Sequence, residues 1–145
     1  MPHAGDFVMA SLFLPDYMFD SFKDITPEFL QSIGVKTVLV DIDNTLVHHN
    51  SDTTPEIEEL FKDLKELGIK TVLVSNNDEP RVKRFLTNIA SPYVCDAEKP
   101  DVKAYKKALE LIDASASEAV FVGDQMFIDI YGANKANIDS IMVHF

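Results

Sequence analysis

The sequence predicts a doubly wound α/β domain built on a parallel sheet of about five strands. Five short apolar runs, at residues 37–40, 69–74, 92–95, 119–122 and 138–143, alternate with segments of helical spacing. Several of these runs end in polar residues, and a parallel sheet gathers such ends along one edge. With 145 residues the chain is read as a single domain, 1–145, that buries roughly two thirds of its unfolded surface.

Taken in order, residues 1–6 read as a loose end, and 1–13 as a loose N-terminal segment. The apolar stretch 7–14 suits packing on the core, with a partner or membrane surface as the alternative. Leu14, Pro15 and Asp16 break it. Thr26 is placed as an N-cap with Pro27 at the first helical position, Phe29, Leu30 and Ile33 facing inward and Gly34 as the stop. Residues 37–40 are apolar and rich in β-branched side chains without alternation, as in a central strand covered on both faces. Thr54 and Pro55 open a second helix, in which Ile57, Leu60, Phe61, Leu64 and Leu67 recur at helical spacing before Gly68. A second strand at 69–74 completes a right-handed βαβ unit. Helices are expected over 80–89, 100–112 and 128–136, with strands at 92–95, 119–122 and 138–143 between and after them.

The net charge of -11 argues against nucleic acid or an anionic membrane as an electrostatically held partner, and it suits a site that recruits a divalent cation. The single cysteine, Cys95, cannot form an internal disulfide. No cationic, apolar and small-residue leader is present, and no apolar run approaches about 18 residues. A cytoplasmic location is expected.

Four groups fall at strand ends: Asp41 with Asp43, Ser75, Lys99 and Asp124. A calcium loop is a poor reading of the Asp-x-Asp-x-Thr segment, because Leu46 and Asp52 stand where its glycine and glutamate are needed and a strand precedes. Each group alone has a bland reading as a solvated side chain, cap or turn; their joint order is what points to chemistry. Acids, a lysine and a hydroxyl suit phosphoryl transfer through an aspartyl intermediate. A carboxylate approaches a phosphate dianion only if positive charge offsets the repulsion. Mg²⁺ on Asp41, Asp124 and a backbone carbonyl, together with Lys99, would supply that charge. Ser75 and N–H groups near Asn76 would bind phosphoryl oxygens, and Asp43 would protonate the leaving oxygen and then activate water.

The segments VLVDIDNTLV, VLVSN, EKP and VFVGDQMFID, in that order, resemble the four motifs of the haloacid dehalogenase superfamily of phosphatases. The resemblance implies a Rossmann-like sheet of strand order 5-4-1-2-3. It also implies Asp41 as nucleophile, Asp43 as general acid and base with its carbonyl on Mg²⁺, Ser75 and Lys99 as phosphate binders and Asp124 as a metal ligand. Thr45 would support the loop of both acids, and Asp129 would stand behind the metal or hold Lys99. LPDYMFDSFKDITPEFLQSIGVKTVLVDIDNTLV and VSNNDEPRVKRF resemble the bacterial YqeG-type group of subclass III, which is related to mitochondrial phosphatidylglycerophosphate phosphatases. The chain departs from that group at Ile128 and Ala133, and it stops at Phe145 where members of the group continue.

About 25 residues separate the first strand from the second, and about as many separate Ser75 from Lys99. Neither gap holds a cap domain, which needs roughly 50 residues for its own core. An open site is expected, serving a phosphorylated small-molecule or lipid substrate. A receiver domain is disfavoured by where the acids fall, and a scaffold that has lost catalysis remains the alternative.

Overall fold

The computed structural model of the protein describes residues 11–144. Six parallel strands form one sheet: β1 (Tyr17–Phe19), β2 (Thr37–Val40), β3 (Lys70–Val74), β4 (Tyr93–Val94), β5 (Ala119–Gly123) and β6 (Asp139–Val143), in the order β1-β6-β5-β2-β3-β4. Strand β2 is central and buried along its whole length, with Val38 beside Thr71 and Val120, and Val40 beside Leu73 and Val122. Five of these strands are the predicted ones in the predicted relative order.

The sixth, β1, corrects the count. It pairs with residues 141–143 at the sheet edge, and Asp16 fastens its start by accepting the Ser140 N–H at 2.8 Å. Three residues at an edge are too few to show a period of two, so tertiary pairing alone defines this strand.

Helices α1 (Pro27–Ser32), α2 (Pro55–Glu66) and α3 (Glu79–Phe85) border one core, and α4 (Val102–Leu111) and α5 (Tyr131–Lys135) the other. Successive residues of β2 point to opposite faces. Val38 and Val40 join Ile57, Phe61 and Leu64 in the first core, whereas Leu39 joins Tyr105, Ala108 and Phe121 in the second. The predicted caps are present: Thr26 Oγ1 accepts from the Phe29 N–H at 3.1 Å and Thr54 Oγ1 from the Ile57 N–H at 3.3 Å. Leu67 is not a core residue. It is 46% exposed because it follows the last turn of α2.

Two helix boundaries also differ. Residues 86–88 tighten into a 3-10 turn, and the predicted helix at 128–136 is a π-helical turn, Met126–Ile130, running into α5. The predicted apolar stretch 7–14 lies partly outside the described residues. Its described part packs against α5, with Phe13 stacked on Tyr131 at 4.5 Å and Asn134 Nδ2 donating to the carbonyls of Leu12 and Leu14. Among the described residues no helix is long and apolar enough to cross a membrane.

The Thr54 cap serves an orphan N–H of α2 without touching the site. Thr54→Ala is expected to lower the unfolding free energy by about 1 kcal/mol. Urea-induced unfolding followed by circular dichroism checks this, with an unchanged dependence on urea.

Candidate active site

Asp41 leaves β2 with its N–H donating to the Val122 carbonyl, so the carboxylate begins where the sheet ends. The chain then turns tightly. Asn44 sits at φ 58°, and its N–H donates to the Val47 carbonyl at 2.7 Å. Asparagine tolerates this left-handed conformation, and the turn carries Asp43 back toward the same edge.

Lys99 lies at the centre. Its Nζ stands 3.0 Å from Asp41 Oδ1 and 2.8 Å from Asp129 Oδ1, and it lies over the Phe121 ring. The lysine is itself held by its backbone: its N–H donates to Asn76 Oδ1 at 2.8 Å and its carbonyl accepts from Asn76 Nδ2 at 3.3 Å, next to the cis Lys99–Pro100 peptide. Asp129 comes from the π-helical turn after β5, a local form frequent at functional sites. Tyr105 OH lies 3.1 Å from the carbonyls of both Ile128 and Asp129, and Gly132 lets that ring approach closely.

Asp41, Asp124 and Asp129 each present a carboxylate oxygen within 4.8 Å of the others. Thr45 Oγ1 lies 3.4 Å from Asp124 Oδ1, which ties the turn after β2 to the end of β5. Burial, partly opposed by Lys99 and reinforced by Asp129, pushes Asp41 up to about 7. Burial and Asp129 push Asp124 up to about 6. Burial pulls Lys99 down, but Asp129 and Asp41 outweigh it and hold the ammonium above the ordinary lysine range. One lysine facing three carboxylates leaves an excess of negative charge in a poorly solvated site. A hard, oxygen-preferring divalent cation fits that donor set.

Asp43 sits in a different field. Burial pushes it up, but hydrogen bonds from Arg81, the Asn50 N–H and Asn77 outweigh that and hold it below the usual carboxylate range. Ser75 Oγ is fully buried and accepts from the Asn77 N–H and from Asn77 Nδ2, both at 3.0 Å. A cavity of about 150 Å³ opens among Asp41, Asp43, Asn44, Asn76, Asn77 and Lys99, with His49 at its edge. Of the residues singled out from the sequence, Asp41, Asp43, Asn76, Lys99 and Asp129 line this cavity, whereas Thr45, Ser75 and Asp124 do not.

Arg81 and Asn77 were not predicted as site residues. The one available signal was a cation in the first turn of a helix, where the dipole disfavours it.

Carboxylates, a buried ammonium and a small polar cavity at the carboxyl edge of a parallel sheet define a hydrolytic enzyme site. The chain belongs to the haloacid dehalogenase-like hydrolases, whose family model matches residues 16–143. It is an enzyme of the phosphatase type within that family. It is 37% identical over 137 residues to the Probable phosphatase YqeG of Bacillus subtilis (strain 168), covering 94% of this chain and 80% of that protein. A glyceraldehyde 3-phosphate phosphatase of Pyrococcus abyssi is 23% identical, covering 97% of this chain and 56% of that one. Among solved structures, an uncharacterized protein from Listeria monocytogenes serotype 4b superposes with a TM-score of 0.62 at 25% identity, covering 74% of this chain and 78% of that one. The cobalt-bound deoxy-D-mannose-octulosonate 8-phosphate phosphatase of Haemophilus influenzae shares the fold, with a TM-score of 0.62 at 15% identity and coverage of 77% and 69%.

Two outcomes follow from this packing and charge. A Cβ on Gly123 would overlap the Asp129 side chain, so Gly123→Ala is expected to displace that carboxylate. The variant should unfold about 1–3 kcal/mol more easily, read from chemical denaturation. Asp41 has its proton affinity raised on folding, so its contribution to metal-free stability is full below about pH 4 and is lost as pH rises toward about 7. Asp41→Asn should therefore match the metal-free wild type in Tm at low pH and exceed it at pH 8, measured in EDTA.

Proposed function

We propose that the protein is a Mg²⁺-dependent phosphomonoester hydrolase that works through an aspartyl-phosphate on Asp41. The observation that carries this reading is Asp41 hydrogen-bonded to buried Lys99 within reach of two further carboxylates. Mg²⁺ held by Asp41, Asp124 and the Asp43 carbonyl, with Asp129 beside them, would offset the charge of a phosphate dianion.

A carboxylate oxygen of Asp41 attacks phosphorus, the bond from phosphorus to the ester oxygen breaks, and protonated Asp43 gives its proton to that oxygen. Water then attacks the phosphorus of the aspartyl-phosphate. Asp43 takes a proton from this water, and the Asp41 carboxylate and inorganic phosphate are released. Lys99 balances charge beside Asp41 in both steps, and Ser75 and the N–H groups near Asn76 bind the phosphoryl oxygens. Thr45 supports the loop of both acids through its contact with Asp124. Arg81 and Asn77 favour the carboxylate form of Asp43, the form that receives the proton from water, so the proton it first gives to the leaving oxygen arrives with the ester monoanion.

Only α2 lies between β2 and β3, and only α3 with its 3-10 turn between β3 and β4. Neither connection holds a further domain that would close over the cavity, so the phosphoryl end of a substrate would enter it and the remainder would stay outside. This supports a phosphorylated metabolite as substrate, with phosphatidylglycerophosphate as the lipid to test. The protein's single chain, 1–145, would act as one catalytic domain in the cytoplasm.

The test is release of phosphate from a panel of phosphomonoesters, with lipid phosphates in detergent, with Mg²⁺ or with EDTA. Wild-type turnover should depend on metal and fall by roughly a thousandfold or more in Asp41→Asn. Asp43→Asn should accumulate phosphoenzyme, seen by acid-quench mass spectrometry. Turnover retained in Asp41→Asn overturns the mechanism. No release from any ester by folded protein favours a non-catalytic scaffold.

A further inference from the structure

Two arginines one turn apart on α3 reach the segment that follows β2. Arg81 is 7% exposed and places Nη2 2.8 Å from Asp43 Oδ1. The Asn50 N–H donates to the same oxygen at 2.6 Å, and Asn77 Nδ2 donates to Oδ2. Arg84 donates to the Asn50 carbonyl at 2.7 Å and to Asn50 Oδ1 at 3.0 Å, and its Nε lies 2.9 Å from Asp52 Oδ1. Donors from three parts of the chain thus converge on one carboxylate. The loop that carries His49 to the cavity edge is tied to the same helix at Asn50 and Asp52.

Stability alone does not account for Arg81. Its Nε and Nη1 are buried with no hydrogen-bond partner among the described residues, and such groups are rare in native structures. It also stands in the first turn of α3, where the helix dipole opposes a cation. Among the described residues, Asp43 is the one acidic side chain with which it forms an ion pair.

We propose that Arg81 is a positioning residue: it fixes the Asp43 carboxylate at the cavity and, with Arg84, holds the loop 48–52 against α3. The inference rests on the reading of Asp43 as acid and base. Because Asn50 bonds both Asp43 and Arg84, displacement of the carboxylate and release of the loop are one event. A misplacement of about 1 Å at a reacting group is enough to lower a rate a hundredfold.

The test uses the full chain with Mg²⁺ and p-nitrophenyl phosphate, comparing Arg81→Ala, Arg81→Lys, Asp43→Asn and the Arg81→Ala/Asp43→Asn double variant. Arg81→Ala should lower kcat by about tenfold to a hundredfold and change KM by less than about threefold, and Arg81→Lys should recover part of the loss. The double variant should be no slower than Asp43→Asn, because both changes act through one carboxylate. Amide hydrogen exchange should speed up at 48–52 in Arg81→Ala while β2 and β3 keep their protection. Unchanged kcat in Arg81→Ala, or losses that multiply in the double variant, would overturn the positioning role. Unchanged exchange at 48–52 would overturn the hold on the loop. A wild type without hydrolysis, whose loop nonetheless loosens in Arg81→Ala, overturns the reaction reading and supports the hold.

Discussion

The ammonium of Lys99 between Asp41 and Asp129 is the contact on which the site depends. A buried lysine or carboxylate is tolerated only when it is paired and hydrogen-bonded. Here one cation faces three carboxylates, so the pairing is incomplete by design of the cluster. Burial, with Asp129 adding to it, makes Asp41 and Asp124 hold their protons to about 7 and about 6. The same deficit of positive charge makes the cluster a fitting donor set for a divalent cation. Loss of Lys99 would leave the acids facing one another with no internal counter-ion.

The groups around that contact belong to rigid supports. Asn76 grips the Lys99 backbone through both its N–H and its carbonyl, so the ammonium is delivered from a fixed starting point. Asp129 rides on a π-helical turn seated on the Tyr105 hydroxyl, and its Oδ2 accepts from the Gln125 N–H at 3.2 Å. Gly123 and Gly132 permit the close approaches at Asp129 and Tyr105 that a larger residue would block. Asp43, by contrast, is held from the opposite side by Arg81, Asn77 and Asn50. Two carboxylates only two residues apart are therefore given opposite environments. One has a raised proton affinity and lies beside a lysine, and the other is lowered beside an arginine. Such opposite environments for neighbouring acids suit the nucleophile and proton-transfer roles proposed for Asp41 and Asp43.

Much of this was legible before the fold was known, and the reasons differ by element. Strand β2 and the acids after it stood out because a fully buried strand reads as a short, largely apolar, β-branched run, and Asp41 is the polar residue that ends it. Helix α2 stood out because just over three turns of amphipathic spacing lie between a threonine-proline start and a glycine stop. The helix predicted at 128–136 was located but not its π-helical opening, since a single inserted residue per turn leaves too little periodicity to read. Strand β1 escaped for a similar reason: its edge position and three-residue length leave no pattern of its own.

The sequence by itself determined which chemical groups stand at strand ends, in what order, and that the connections between strands are too short for a cap. Those properties are local or additive, so they survive without coordinates. Only the tertiary structure decided which groups touch. That Lys99 bridges Asp41 and Asp129, that Asn76 serves the Lys99 backbone, and that Arg81 faces Asp43 across 38 positions follow from sheet order and helix packing. Contacts between residues far apart in the chain depend on how the whole core closes, and no window of sequence contains that information.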